Sequence, residues 1–244
     1  MIISNRIVLD LHALGIEPDD TILVHSSLKS LGWVDGGANA VIDAFEECLP
    51  NGTLLMPALT FDNVTAENPR FSVLHTPCCI GVIPETFRKY PGVSRSVHPT
   101  HSVCAWGVNA DTMTGRHYLD RTPVGENSPF RLLPEFNGKI IMLGCGLEPN
   151  TFMHGVEETA GTPYVLAEGQ TLFNIDADGR NEDVYHITHD FKGVEQRYDR
   201  AAECIAIKSG KVLEADAYVI DASELWAAAT VKIKLDPWFF VDRI

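Results

Sequence analysis

Apolar positions along the chain fall into two alternating patterns. Ile7, Val8, Leu11 and Leu14 recur on one helical face, opened by Ser4 and stopped by Gly15. After the Pro18-Asp19-Asp20 turn, the apolar run from Thr21 to His25 has the length of a short buried strand. Val41, Ile42, Phe45 and Leu49 return to helical spacing and end at Pro50-Asn51-Gly52, and a second strand is predicted from Thr53 to about Leu59. Strands and helices alternating in units of roughly 25–30 residues predict an α/β sheet covered on both faces.

The middle of the chain is rich in loops, with prolines at 69, 77, 84, 91, 99, 123, 129 and 134. Within it Val82 to Tyr90 is predicted helical, and Ser102 to Trp106 and Lys139 to Leu143 are predicted strands. Asn150 is placed to cap a helix ending near Gly161. The Asp-Ala-Asp-Gly turn at 176–179 predicts a hairpin, followed by helices from about Asp190 to Cys204 and from Ser223 to Lys234. There is no internal repeat and no linker, so residues 1–244 are expected to form one domain around a mixed sheet.

Charge changes this picture by exclusion. Against 19 Lys and Arg stand 33 Asp and Glu, a net charge of −14, which argues against nucleic acid or an anionic membrane as partner and suits a cationic ligand. Six cysteines (48, 78, 79, 104, 145 and 204) are scattered without a CxxC pair, so reduced thiols in the cytoplasm are expected. The first residues lack the uncharged core of a signal peptide, and no run of apolar residues is long enough to span a membrane.

Several chemistries lack their signatures: there is no GxSxG elbow, no GxxxxGK[ST] loop and no HExxH helix. Gly144-Cys145-Gly146 follows a predicted strand, but Pro149 stands where a dinucleotide fingerprint needs its third glycine. His98 and His101 are three apart, as are His186 and His189, yet nothing in the sequence unites the pairs, so no metal is expected.

Three stretches carry more information. On a helix capped by Asn150, His154 and Glu157 lie at i and i+3, with Glu158 at i+4. A carboxylate beside an imidazole raises its basicity and fixes its tautomer, as a general base requires, although the same spacing suits a solvated surface pair. The glycine-rich approach puts this helix at the C-terminal end of a strand, where α/β sheets bind ligands. His25-Ser26-Ser27-Leu28 ends the first strand and offers hydroxyl and backbone donors. Arg95 to Ser102 adds a cation and several donors, as a crossing loop or as part of an anion site.

Together these stretches resemble the aminoglycoside 3-N-acetyltransferase family, the antibiotic N-acetyltransferases distinct from the GNAT superfamily. The resemblance rests on Val24-His25-Ser26-Ser27-Leu28 with Leu31-Gly32, on Pro50 to Pro57, on Pro91 to Ser102, on Thr122 to Pro129, and on Ile141 to Gly144 running into Asn150 to Glu157. In order, these pieces cover about residues 5–200.

The resemblance implies a three-layer α/β/α fold around a mixed central sheet, of the non-GNAT type. It implies transfer of an acetyl group from acetyl-CoA to an amine, with aminoglycoside antibiotics as acceptors. His154 corresponds to the family's general base and Glu157 to the glutamate that orients it. Ser26, Ser27, Leu28 and Lys29, with Arg95, Ser96, His98, Ser102 and Val103, would line the CoA site. Asp62, Glu158 and Asp190 would face the acceptor. The acidic run after Tyr185 is only partly kept, His186, Thr188 and His189 standing around a single Asp190. That favours the acyl transfer over any particular acceptor, and the alternatives are another small amine or a CoA-binding protein without turnover.

Overall fold

The computed structural model describes residues 3–244. Its first half opens with α1 (Ile3–Ala13), β1 (Thr21–Ser26), α2 (Gly37–Cys48) and β2 (Thr53–Pro57). The proline-rich middle adds short pieces: β3 (Arg70–Ser72), α3 (Val82–Phe87), β4 (Ser94–Arg95), β5 (Val103–Gly107), α4 (Ala110–Thr114) and α5 (Pro129–Leu132). There follow β6 (Lys139–Leu143), α6 (Phe152–Ala160), β7 (Thr171–Ala177) and β8 (Arg180–His186). The chain closes with β9 (Val194–Gln196), β10 (Lys208–Val212), β11 (Ala215–Asp221), α7 (Ala222–Leu235) and β12 (Val241–Arg243).

Seven strands form one sheet in the order β10-β11-β6-β1-β2-β5-β4. β6, β1 and β2 run parallel at its centre, and the flanking strands are antiparallel. Successive residues of a strand face opposite sides. Ile22, Val24, Leu54, Met56, Ile141 and Leu143 therefore pack with Ile7 of α1 and Phe45 of α2. Leu23, Leu55, Ile140 and Met142 pack instead with Phe130 of α5, Phe152 of α6 and Leu225 of α7. Because both faces are covered, these strands are apolar throughout, which is why they show as unbroken apolar runs in the sequence. The result is the three-layer α/β/α arrangement with a mixed sheet. A smaller sheet, β3-β7-β8, and the pair β9-β12 stand beside it.

Two expected elements differ. The stretch from Asp190 to Cys204 is not a helix, because Phe191 and Gly193 take left-handed backbone angles (φ 44° and 75°). β9 then pairs antiparallel with β12, and only a 3₁₀ segment over Tyr198–Glu203 follows. The apolar spacing there buries Tyr198 and Ala201 without helical backbone. Helix α6 begins one residue later than expected, with Thr151 rather than Asn150 at its N-cap, and Asn150 is buried with its side-chain amide unpaired within the protein. The predicted hairpin turn is present: Asp178 and Gly179 both have positive φ, as a two-residue hairpin loop requires.

Candidate active site

β1 lies between two parallel neighbours, β2 and β6; the chain goes on from β1 to β2 on one side, and after β6 it rejoins the sheet on the other side at β10 and β11. Such a reversal opens a crevice outside the C-terminal ends of the strands. His25 and Ser26 stand at that end of β1, in register with Met142 and Leu143 of β6. The chain leaves β6 through Gly144, whose φ is 71° and where a Cβ would come within 2.6 Å of Ser30 Cβ. That close approach lets the loop after β1 and the segment leading to α6 share one end of the sheet.

Two cavities meet there. The first, of about 330 Å³, is walled by His25, Ser26, Cys145, Thr151 and Tyr198 among others. The second, of about 490 Å³, is walled by Thr65, Thr100, His101, His189 and Asp190 among others. His154, Phe61 and Gln196 line both. The His154 ring stands perpendicular to His189 at 4.8 Å and lies 4.9 Å from Phe191. Gln196 Nε2 lies 3.4 Å from His154 Nε2, and His154 Nδ1 has no partner within the protein. Burial, then the neighbouring His189 and His25, holds its pKa well below the ordinary value, so the ring is neutral.

The two glutamates of α6 serve different neighbours. Glu157 is fully buried and does not hydrogen-bond His154; Tyr164 Oη donates to its Oε1 at 2.8 Å and Tyr198 Oη to its Oε2 at 2.7 Å. Both oxygens have donors on the inner side of the helix, so the expected direct orientation of His154 by Glu157 is replaced by packing through the Tyr198 ring, 5.7 Å from His154. Burial raises Glu157 to about 7 against the opposing pull of the two tyrosines. Glu158 faces the other way and accepts from His189 Nε2 at 2.6 Å and from the Val124 N–H at 2.8 Å. It stands behind His189 rather than open to an acceptor. Burial raises the Glu158 carboxyl and lowers the His189 imidazole, both shifts favouring an uncharged pair. His189 Nδ1 in turn lies 3.2 Å from His101 Nε2, and His101 Nδ1 lies 2.9 Å from Thr100 Oγ1.

The spaced histidine pairs are divided by this arrangement. His101 and His189 face the cavity, whereas His98 and His186 turn away and pack together, His98 stacking on His117. His101, His189, Gln196 and Phe61 join the site without having been singled out for it. The repeated spacing of three was the available signal for the two histidines. Gln196 was hidden inside a stretch expected to be helical.

The residues expected at CoA separate sharply. Ser26 lines the first cavity with a buried hydroxyl that has no partner within the protein. Ser27 is tied to Leu143 and Ser30, Leu28 packs on the α1–α2 core and Lys29 is exposed, all three outside the cavity linings. Arg95 is no open anion site: its guanidinium donates to Ser102 Oγ and to the carbonyls of Val73, Thr76 and Ala58, and stacks over Phe71 at 4.9 Å. Ser96, His98, Ser102 and Val103 are buried, and the Ser96 hydroxyl meets His117. These five residues brace the sheet and line neither cavity, with the Arg95, Ser96 and Ser102 side chains hydrogen-bonded within the protein; of the same loop, only Thr100 and His101 reach the second cavity. Asp62 is exposed and outside both linings; Asp190 lines the second cavity.

The fold is a three-layer α/β/α arrangement around a mixed sheet, with one histidine, His154, at the junction of two cavities beyond the strand ends. The profile described as aminoglycoside 3-N-acetyltransferase matches residues 23–234. The SPbeta prophage-derived aminoglycoside N(3')-acetyltransferase-like protein YokD of Bacillus subtilis (strain 168) is 35% identical over 190 residues, covering 69% of this chain and 70% of that protein. The crystal structure of aminoglycoside acetyltransferase AAC(3)-IVa, as a mutant in complex with a gentamicin, superposes with TM-score 0.83 at 28% identity over 97% of this chain and 90% of that one. AAC-IIIb in a binary complex with CoASH superposes with TM-score 0.80 at 25% identity over 95% and 96%. The chain belongs to the aminoglycoside 3-N-acetyltransferase family and is an acyltransferase. No helix among the described residues is long and apolar enough to cross a membrane.

Proposed function

We propose that this protein, as one domain, transfers an acetyl group directly from acetyl-CoA to an amine of an aminoglycoside-type acceptor, with His154 as general base. The observation that carries this reading is that His154 alone among the described imidazoles lines both cavities. The first cavity, at the strand ends with Ser26 and Thr151, is assigned to the acyl-thioester arm; the second, with Asp190, to the acceptor. Complexes of relatives with CoASH and with a gentamicin support the two ligand classes.

The acceptor nitrogen attacks the thioester carbonyl while its proton passes to His154. The tetrahedral intermediate collapses, the C–S bond breaks and the coenzyme thiolate leaves, taking up a proton. An amide and free CoA result, with no covalent enzyme intermediate. Placement and a positioned base of this kind contribute typically ~10²–10⁴-fold. Glu157 acts at one remove, through the tyrosine ring that packs on His154.

A second reading keeps the chemistry and changes the acceptor. Among the described residues Asp190 is the only carboxylate lining the second cavity, a thin set for a polycation, and this favours a smaller amine. The test is release of CoA thiol from acetyl-CoA across a panel of aminoglycosides and simple di- and monoamines. Turnover of aminoglycosides supports the first reading and turnover of small amines alone the second. Tight CoA binding without release by any amine would sink both.

A further inference from the structure

An acyl transfer needs one imidazole as base, yet three converge here. His101 lies on the loop before β5, His154 in the first turn of α6 and His189 on the loop after β8, and all three line the second cavity. Each offers one ring nitrogen, and these three atoms lie within 4.8 Å of one another. His189 Nδ1 and His101 Nε2 are already 3.2 Å apart. On a tetrahedral ion with bonds of about 2.0–2.1 Å, adjacent nitrogens are separated by roughly 3.3–3.4 Å. One edge of a coordination tetrahedron is therefore in place.

The outer groups fit as well. His189 holds Glu158 through its other nitrogen at 2.6 Å, and His101 holds the Thr100 hydroxyl at 2.9 Å. A carboxylate or hydroxyl on the far nitrogen is what fixes the tautomer and direction of a metal-bound imidazole. With Glu158 accepting from His189 Nε2–H, His189 Nδ1 carries a lone pair. Moving the His101 proton to Nδ1, where Thr100 accepts it, frees the second lone pair without releasing a proton. His154 supplies the third: its Nδ1 is buried and unpartnered within the protein, and it carries a lone pair once the ring proton sits on Nε2 and the Gln196 amide is turned so that its oxygen accepts that proton.

We propose that His101, His154 and His189 bind one divalent transition-metal ion of the Zn²⁺ class, and that the ion and the acceptor amine exclude each other at His154. Three neutral imidazoles favour zinc, cobalt or nickel over magnesium or calcium, which prefer oxygen ligands. Three protein ligands leave the fourth position facing the cavity, the pattern of an exchangeable site rather than a closed structural one. The exclusion rests on the reading of His154 as base; the binding does not.

The test titrates the full chain, first stripped with chelator, with Co²⁺ and follows its d–d absorption, then displaces it with Zn²⁺. One ion per chain with a tetrahedral spectrum is expected. Affinity should fall at least about 10-fold in His101→Ala and in His189→Ala, and about 10–100-fold in Glu158→Gln, with circular dichroism unchanged. No saturable spectrum, or affinity undiminished from the parent's in both histidine variants, overturns the site. Should a variant fail to fold, the Zn²⁺-induced rise in thermal midpoint of the parent chain, present or absent, still decides it. Acetylated amine is measured to test exclusion, because free thiols themselves bind zinc. Inhibition competitive with the amine is expected, and undiminished turnover of the metal-loaded enzyme overturns exclusion. If no amine is ever acetylated, the His154 reading fails and the Co²⁺ titration still decides the site.

Discussion

Glu158 Oε1 lies 2.6 Å from His189 Nε2, while Glu157, its neighbour on the same helix, is bound by two tyrosine hydroxyls. Adjacent residues of a helix point about 100° apart, so two glutamates in sequence enter two different networks.

Their substitutions should therefore separate. Glu157→Ala leaves two buried hydroxyls without an acceptor and should destabilise by about 2–5 kcal/mol. Glu158→Gln should leave the thermal midpoint within a few degrees and lower kcat by about 10–100-fold, by loosening the His189–His101 wall beside His154. Thermal melts and steady-state acetylation of both variants check this; equal loss of stability in the two would refute the division.

His154→Ala should lower kcat by ~10²–10⁴-fold with little change in acetyl-CoA affinity, because the ring is shared by both cavities but walls only part of the first. Calorimetric titration with CoA alongside the acetylation assay separates the two effects. A variant that acetylates at the parent rate removes His154 as base.

Arg95→Ala should act on stability rather than on CoA. The guanidinium satisfies three carbonyls and the Ser102 hydroxyl in a buried setting, so its loss should cost about 3 kcal/mol or more. CoA affinity of the folded variant should be unchanged. A variant of parent stability with CoA binding weakened tenfold would restore Arg95 to the cofactor site.

Stability should fall steeply on acidification. His25, His98, His101, His117, His154, His186 and His189 are all held below the ordinary 6.5 by burial. Below that pH the unfolded chain takes up protons that the folded one does not, each costing about 1.4 kcal/mol per pH unit. Glu157 and Glu158, raised to about 7, act oppositely: they hold protons in the folded state between about 4.5 and 7 and stabilise it as pH falls through that range. Seven histidines outweigh two glutamates, so the urea midpoint should drop from pH 6.5 towards pH 5. A flat or rising midpoint in that range would contradict the burial of the imidazoles.

The amino-acid sequence by itself determined the layers of this protein. Continuous apolar runs at Thr21, Thr53 and Lys139, helical spacing in α1, α2 and α7, and Asp178-Gly179 in a hairpin turn are all local properties. They follow from side-chain periodicity and backbone sterics within a few residues. The place of His154 on a helix after a strand-end glycine loop was legible for the same reason, while the role assigned to it came only from the family resemblance. Only the tertiary structure decided which member of each histidine pair faces the cavity, that Glu158 rather than Glu157 serves an imidazole, and that Arg95 braces carbonyls instead of greeting an anion. His189 and His101 meet from 88 positions apart, and such contacts depend on how strands are ordered in the sheet. Local spacing carries no record of that order. The helix expected at Asp190 yielded to pairing with β12 for the same reason: a partner strand reached only at the chain's far end outweighed local helical spacing.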